Sequence, residues 1–311
     1  IEILDIRGVR TDEASRQALA RSESLSQLSL SVDGDWQGLD AITAQLSLEA
    51  TESAAGAPPS GLTTLWLRGE LTAPFAVRLA ELEMFKSLSV DAVADDVRFN
   101  RGFAHLEDFR AEGAGLNDEA FAAIAEHPSI GALYVSNNPI GAALRHSLSP
   151  AIHTLELRYT NVDDTGIEVI AQLPRLHCID VPGTKVTASG VARLAHGAVN
   201  LQSLALDARQ VQSESVEALA QCARLLELYL YGPEVTTATI AALAPVPLRE
   251  LLLVGTQVGD DAVPHLAAIR GLRTLSLGTE LSDAGLAALR VLRPYIVIRS
   301  ERETSRSTRK R

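Results

Sequence analysis

A phrase of the form Leu-x-x-Leu-x-Leu recurs along this chain at intervals of a little over twenty residues, and no other feature restricts the fold so tightly. It reads Ile152-His-Thr-Leu155-Glu-Leu157, then Leu176-His-Cys-Ile179-Asp-Val181, Leu201-Gln-Ser-Leu204-Ala-Leu206, Leu225-Leu-Glu-Leu228-Tyr-Leu230, Leu248-Arg-Glu-Leu251-Leu-Leu253 and Leu272-Arg-Thr-Leu275-Ser-Leu277. From Leu155 the middle apolar residue advances in steps of 24, 25, 24, 23 and 24. A fixed period in the twenties means stacked coils, each too small to bury its own apolar face and completed by its neighbours. Anchors at Leu4, Leu28, Leu46, Leu65, Leu88, Phe109, Leu133, Leu155, Ile179, Leu204, Leu228, Leu251, Leu275 and Ile296 predict about fourteen coils over residues 1–298, irregular over 31–106.

Within each phrase apolar residues alternate with variable ones, which predicts a short strand. Between phrases the period changes. Val162-Asp-Asp-Thr-Gly-Ile167-Glu-Val-Ile170, Val186-Thr-Ala-Ser-Gly-Val191, Val258-Gly-Asp-Asp-Ala-Val263 and Leu281-Ser-Asp-Ala-Gly-Leu286 carry helical spacing after polar starters. Asn117, Asp163, Thr187 and Ser282 stand where a helix N-cap is needed. Helices are wider than strands, so such a stack curves with its parallel sheet inside the arc and its helices outside. Aromatic residues make up only 4% of the chain, and aliphatic ladders must fill the core.

The unit Leu-x-x-Leu-x-Leu-x-x-Thr-x-Val-x-Asp-x-Gly, here Leu155-Glu-Leu157-Arg-Tyr-Thr160-Asn-Val162-Asp-Asp-Thr-Gly166, resembles the bacterial relatives of the cysteine-containing and ribonuclease-inhibitor-like leucine-rich repeats. The resemblance covers residues 106–298 best. It implies an α/β leucine-rich repeat solenoid, a right-handed β-α superhelix curved as a horseshoe, whose concave face is a binding surface. No catalytic residue transfers with it. Thr160, Thr184 and Thr256 fall near the place where many family members carry a turn-bonding Asn, a task Thr performs less fully. Cys222 matches the place of a structural cysteine in these repeats.

Counting from the first leucine, positions three, five and seven point onto the sheet's open face. They include Trp66, Arg68, Arg110, Glu112, Tyr134, Glu156, Arg158, Asp180, Asp207, Tyr229, Tyr231, Tyr295 and Arg299. Trp, Tyr and Arg carry most of the energy at protein interfaces, so this face is the expected partner site. Tyr229 and Tyr231, two residues apart on one strand, are its centre, with Asp207, Leu252 and Val254 as neighbours. Strands favour aromatic residues for packing alone, which is the competing account of these rings.

The net charge is −11, and the tail from Ser300 to Arg311 holds five basic residues against two acidic. The remainder therefore carries about −14, which repels phosphate backbones and favours a basic protein partner over nucleic acid. The tail reads as a solvated polar end, or as a nuclear-import or membrane-surface signal. Two cysteines and no Asn-x-Ser/Thr sequon point to a reducing, cytoplasmic setting, or to delivery into a host cell. No apolar run reaches the length of a membrane span. Because Ile1-x-x-Leu4-x-Ile6 already reads as a repeat strand, an upstream segment with an effector role is expected.

Cys178-Ile-Asp180, with His177 and His153 nearby, is similar to the Cys-x-Asp motif of a bacterial effector ubiquitin-ligase family that also carries leucine-rich repeats. There the motif belongs to a separate helical domain, whereas here it falls in a repeat strand. A catalytic thiolate needs a lowered pKa and a partner base. The seven histidines show no paired metal spacing, and His127 and His196 sit at helix-to-strand turns. No phosphate loop or Ser-His-Asp pattern is present, and no cofactor is expected. The expected function is protein recognition without catalysis. The alternative is a substrate-recruiting or sensing arm of a larger bacterial effector or ubiquitin-ligase-type enzyme.

The first third departs from the pattern. Steps of 18 and 19 residues around Leu46 leave too little chain for a helix, and Asp33–Gly38 and Ser53–Gly61 are turn and loop text. Degenerate packing or a loop-bearing, partner-specific end would each produce this.

Overall fold

The computed structural model describes residues 3–6, 27–31, 63–80, 85–95, 97, 103–278 and 281–300. The expected loops at 33–38 and 53–61 and the expected tail beyond Ser300 lie outside them. The chain divides into two compact units, Ile1–Ala143 and Leu144–Arg311.

In the first unit six parallel strands follow one another in chain order: β1 (Ile3–Ile6), β2 (Gln27–Ser31), β3 (Thr64–Leu71), β4 (Ser87–Val93), β5 (Asp108–Arg110) and β6 (Ala132–Tyr134). Helices α1 (Ala73–Ala80) and α2 (Asp118–Ala125) belong to this unit. The anchors align as expected, Leu65 opposite Leu88, Leu88 opposite Phe109 and Phe109 opposite Leu133. One anchor does not. β2 hydrogen-bonds directly to β3, with Leu28 opposite Leu65, so no strand at Leu46 separates them. Leu46 itself lies outside the described residues.

The second unit continues the scheme with β7 (Thr154–Glu156), β8 (Cys178–Asp180), β9 (Ser203–Asp207), β10 (Glu227–Tyr231), β11 (Glu250–Val254), β12 (Thr274–Leu277) and β13 (Val297–Ser300), all parallel. Between them stand α3 (Asp164–Ile170), α4 (Ala188–Gly197), α5 (Ser213–Gln221), α6 (Thr237–Ala242), α7 (Val263–Ala268) and α8 (Asp283–Leu292). Leu275 faces Ile298, not Ile296. The last coil is therefore two residues out of the expected phase, and Tyr295 stands in the turn before the strand, 95% exposed, instead of on the strand face. β13 also runs to Ser300, past the expected start of the tail.

Each coil is tied to the next by the residue after its first leucine. The carbonyl of His153 accepts the N–H groups of both His177 and Cys178, that of His177 accepts Gln202 and Ser203, and that of Arg249 accepts Arg273 and Thr274. The second and third leucines of the phrases, such as Leu228 and Leu230, are buried, as are helix residues such as Leu219 and Ile240. Truncating one of them to Ala costs about 3–5 kcal/mol.

The helix starts are built as the sequence predicts. Asn117, Asp163, Thr187 and Ser282 accept the N–H groups of Ala120, Gly166, Gly190 and Gly285. The acid after the cap serves the next coil: Asp164 accepts Thr187 N (2.8 Å) and Oγ1 (2.6 Å), and Asp260 accepts Ser282 N (2.8 Å) and its hydroxyl. That brace explains the glycine of the repeat. A Cβ on Gly190 would lie 2.2 Å from Asp164 Oδ1, and one on Gly285 2.1 Å from Asp260 Oδ1.

Candidate recognition face

The expected contact residues fall into one group in each unit. In the first, Trp66 stands 43% exposed between two serines, Ser29 and Ser89, its register partners on either side. Short neighbours leave the indole unsupported and open. Arg68 is exposed at a register shift between β3 and β4, where the strand is re-aimed. The Arg110 guanidinium lies 4.0 Å from the centroid of the Tyr134 ring, its register partner, and Glu112 accepts the side-chain amide of Asn137 (3.2 Å).

In the second unit, Asp180 is 5% exposed, and Arg158 donates to it through Nε (2.9 Å) and a second guanidinium nitrogen. Burial pushes the Asp180 carboxyl up from its ordinary value, and the hydrogen bond and charge of Arg158 pull it part of the way back. The same guanidinium reaches the Tyr231 ring, 4.5 Å from its centroid. Ala205, the register partner of Asp180, is wholly buried. Asp207 is committed locally, accepting Gly183 N (3.0 Å) and pairing with Arg209 (2.8 Å).

Tyr229 faces Leu252 and Tyr231 faces Val254 across the β10–β11 pair, so two phenols and two aliphatic side chains form one patch. Val254 is 40% exposed. Tyr229 Oη donates to Glu227 Oε2 (3.0 Å); burial first and that carboxylate next push the phenol up to about 12. On this unit's described strand face Glu156, Asp180, Asp207, Glu227 and Glu250 outnumber Arg158 and Arg299. Tyr229, Tyr231, Leu252 and Val254 thus share one face of the β10–β11 pair with Glu227 and Glu250.

Tyr159 was not among the expected residues, because it falls one place past the alternating positions. It is 64% exposed and holds φ at +53°, a conformation costly for a side chain of this size. Its ring fills the space above Gly183, where a Cβ would meet Tyr159 Cδ1 at 2.4 Å. The sequence signal was the glycine one coil on.

Cys178 is unsuited to nucleophilic work. Burial first and the charge of Asp180 next push its thiol up to about 11, the reverse of what a thiolate requires. The rings of His153 and His177 stack at 4.9 Å, but their Nδ1 atoms are engaged with Thr154 Oγ1 and the Arg175 carbonyl. Cys222 closes the end of α5, its half-buried Sγ donating to Ala195 O (3.2 Å). His127 is buried and bonds Ser129 Oγ (3.0 Å), and His196 Nδ1 lies 2.7 Å from Ala192 O, which makes both local turn elements. Among the described residues no three His, Cys, Asp or Glu side chains gather as a metal site would need. No described helix is long and apolar enough to cross a membrane.

No protein-family model and no curated protein sequence matches the chain. Solved structures do. The Rad7 and Elc1 complex from yeast contains a chain with a TM-score of 0.55 at 17% identity, over 92% of this chain and 72% of that one. An internalin from Listeria monocytogenes gives 0.52 at 15% identity, over 93% and 94%. At these identities the likeness is one of fold. Both neighbours are leucine-rich repeat solenoids, and the fold of this chain is of that class.

Proposed function

We propose that this leucine-rich repeat chain is a recognition scaffold that binds a basic protein through the open face of its strands, with the Tyr229–Tyr231–Leu252–Val254 patch as the energetic centre. The observation that carries the reading is the register of that patch. Aromatic and aliphatic side chains lie side by side on a surface where the fold does not need them, bordered along one edge by the carboxylates of Glu227 and Glu250. An apolar centre with a charged rim is how protein interfaces gain both affinity and selectivity. The Rad7 structure is that of a complex with another protein, which agrees with a scaffold role. Tyr159 adds a rigid aromatic anchor beside Arg158, and its backbone cost is repaid where a partner covers it.

The test is capture with the full chain from extracts of the cells that make it, followed by titration of the purified partner. The partner should be basic, and Tyr229→Ala should weaken binding by about 1 to 4 kcal/mol. Equal affinities for the variant and the parent chain would refute the placement of the centre, and a strongly acidic partner would refute the charge argument.

A further inference from the structure

Away from the strand face, the turns after α6 and α7 enclose an open groove of about 970 Å³. Pro245 and Pro247 wall one side and Gly271 the other, and Arg249, Arg270 and Arg273 line it. All three arginines are exposed. Arg249 and Arg273 occupy the same place in successive coils, joined by Arg273 N donating to Arg249 O (2.8 Å), so their backbones are one strand spacing apart, about 4.8 Å. Each stands one residue before its strand, so two like charges are held side by side where the turns enter β11 and β12.

None of the three arginines has a carboxylate partner among the described residues, whereas Arg145, Arg158, Arg193 and Arg209 in the same unit each pair with an acid. Basic residues are favoured near helix C-termini. That role here is already filled by Arg293, whose guanidinium donates to the carbonyls of Ala267, Ile269, Arg270 and Leu272. The two prolines have fixed φ and no N–H, so the walls are stiff and an anion can be held here by guanidinium groups, not by that turn's backbone. Gly271 keeps the coils close, since a Cβ there would lie 2.6 Å from Leu248 O.

We propose that this groove docks an acidic protein segment, with carboxylates gripped by the Arg249–Arg273 pair and by Arg270 and with apolar side chains against the proline wall. The site is separate from the strand face and takes a partner of opposite charge. A polyanion whose charge continues beyond the groove would meet a chain of net charge −11, which selects a short acidic stretch over a nucleic acid.

The probe is a fluorescein-labelled peptide alternating Glu and Ala, titrated against the full chain by fluorescence anisotropy. The comparison ligands are the matched Gln/Ala peptide, a single-stranded oligonucleotide and inorganic phosphate. The Glu peptide should bind and weaken with salt. Arg249→Gln and Arg273→Gln should each weaken it about tenfold, while Arg175→Gln, on an exposed arginine outside the groove, and Tyr229→Ala should leave it unchanged. Without peptide, Arg249→Gln should unfold at the same or a higher temperature, because a repulsion is relieved. Absence of binding, equal loss with Arg175→Gln, equal binding of the Gln peptide, tighter binding of the oligonucleotide or phosphate, or a lower Tm for Arg249→Gln would each overturn the proposal.

Discussion

The same isosteric change, Thr to Val, should have opposite signs at two equivalent places in the repeat. Thr160, Thr184 and Thr256 all follow a residue with positive φ (Tyr159, Gly183 and Gly255) and are all buried. Thr160 Oγ1 donates to Leu157 O and Thr184 Oγ1 to Val181 O, each at 2.7 Å. Thr256 Oγ1 is buried and finds no such partner among the described residues. Thr160→Val removes a short hydrogen bond and strands a buried carbonyl, a loss of about 1–2 kcal/mol. Thr256→Val removes an unpaired buried hydroxyl and substitutes a methyl of the same shape, a gain of about 1–2 kcal/mol. The two variants should therefore differ by about 2–4 kcal/mol by these estimates. Urea unfolding followed by far-UV circular dichroism reads this as midpoints shifted to either side of the parent chain at unchanged slope. A Thr256→Val midpoint at or below that of the parent would refute the reasoning, because it would mean that the hydroxyl has a stabilising partner.

Three further outcomes follow from the geometry. Gly190→Ala should cost about 1–3 kcal/mol through the clash with Asp164, and in Asp164→Ala the same change should cost much less; a strictly additive double-mutant cycle would exclude the contact. Because the folded Cys178 thiol is raised from about 9 to about 11, the stability it confers is complete below pH 9 and is lost as pH climbs to 11. Cys178→Ala should remove about 2–3 kcal/mol of that alkaline slope, and an unchanged pH profile would contradict the burial argument. Tyr159→Gly should raise stability by about 1 kcal/mol by releasing the left-handed backbone, while weakening the partner titration; a loss of stability would show that the ring's packing over Gly183 outweighs the strain.

Asn138 shows how closely the turn column could be read. It stands at the Asn place of its coil, accepts Leu116 N (2.8 Å) and donates to Ala111 O (2.6 Å) and Val135 O (2.9 Å), the full set that Thr160 meets only in part. The caps at Asn117, Asp163, Thr187 and Ser282 were equally legible, because a cap and its targets lie within three residues of one another. The Ile298 phase and the direct β2–β3 pairing were not, since both depend on how much chain a coil spends between strands, and apolar spacing is silent on that where the repeat is irregular.

By itself the sequence determined the repeat, the buried leucine columns and the helix starts where the period is regular, all of which follow from local periodicity. Tertiary structure decided what those residues meet. It set Arg158 over both Asp180 and Tyr231, placed the ring of Tyr159 above Gly183, left the Thr256 hydroxyl without a partner among the described residues, and set Arg249 against Arg273 beside a proline wall. Long side chains reach across coils, as Arg158 does in joining Asp180 one coil on and Tyr231 three coils on. That is a property of stacked coils and of no single repeat.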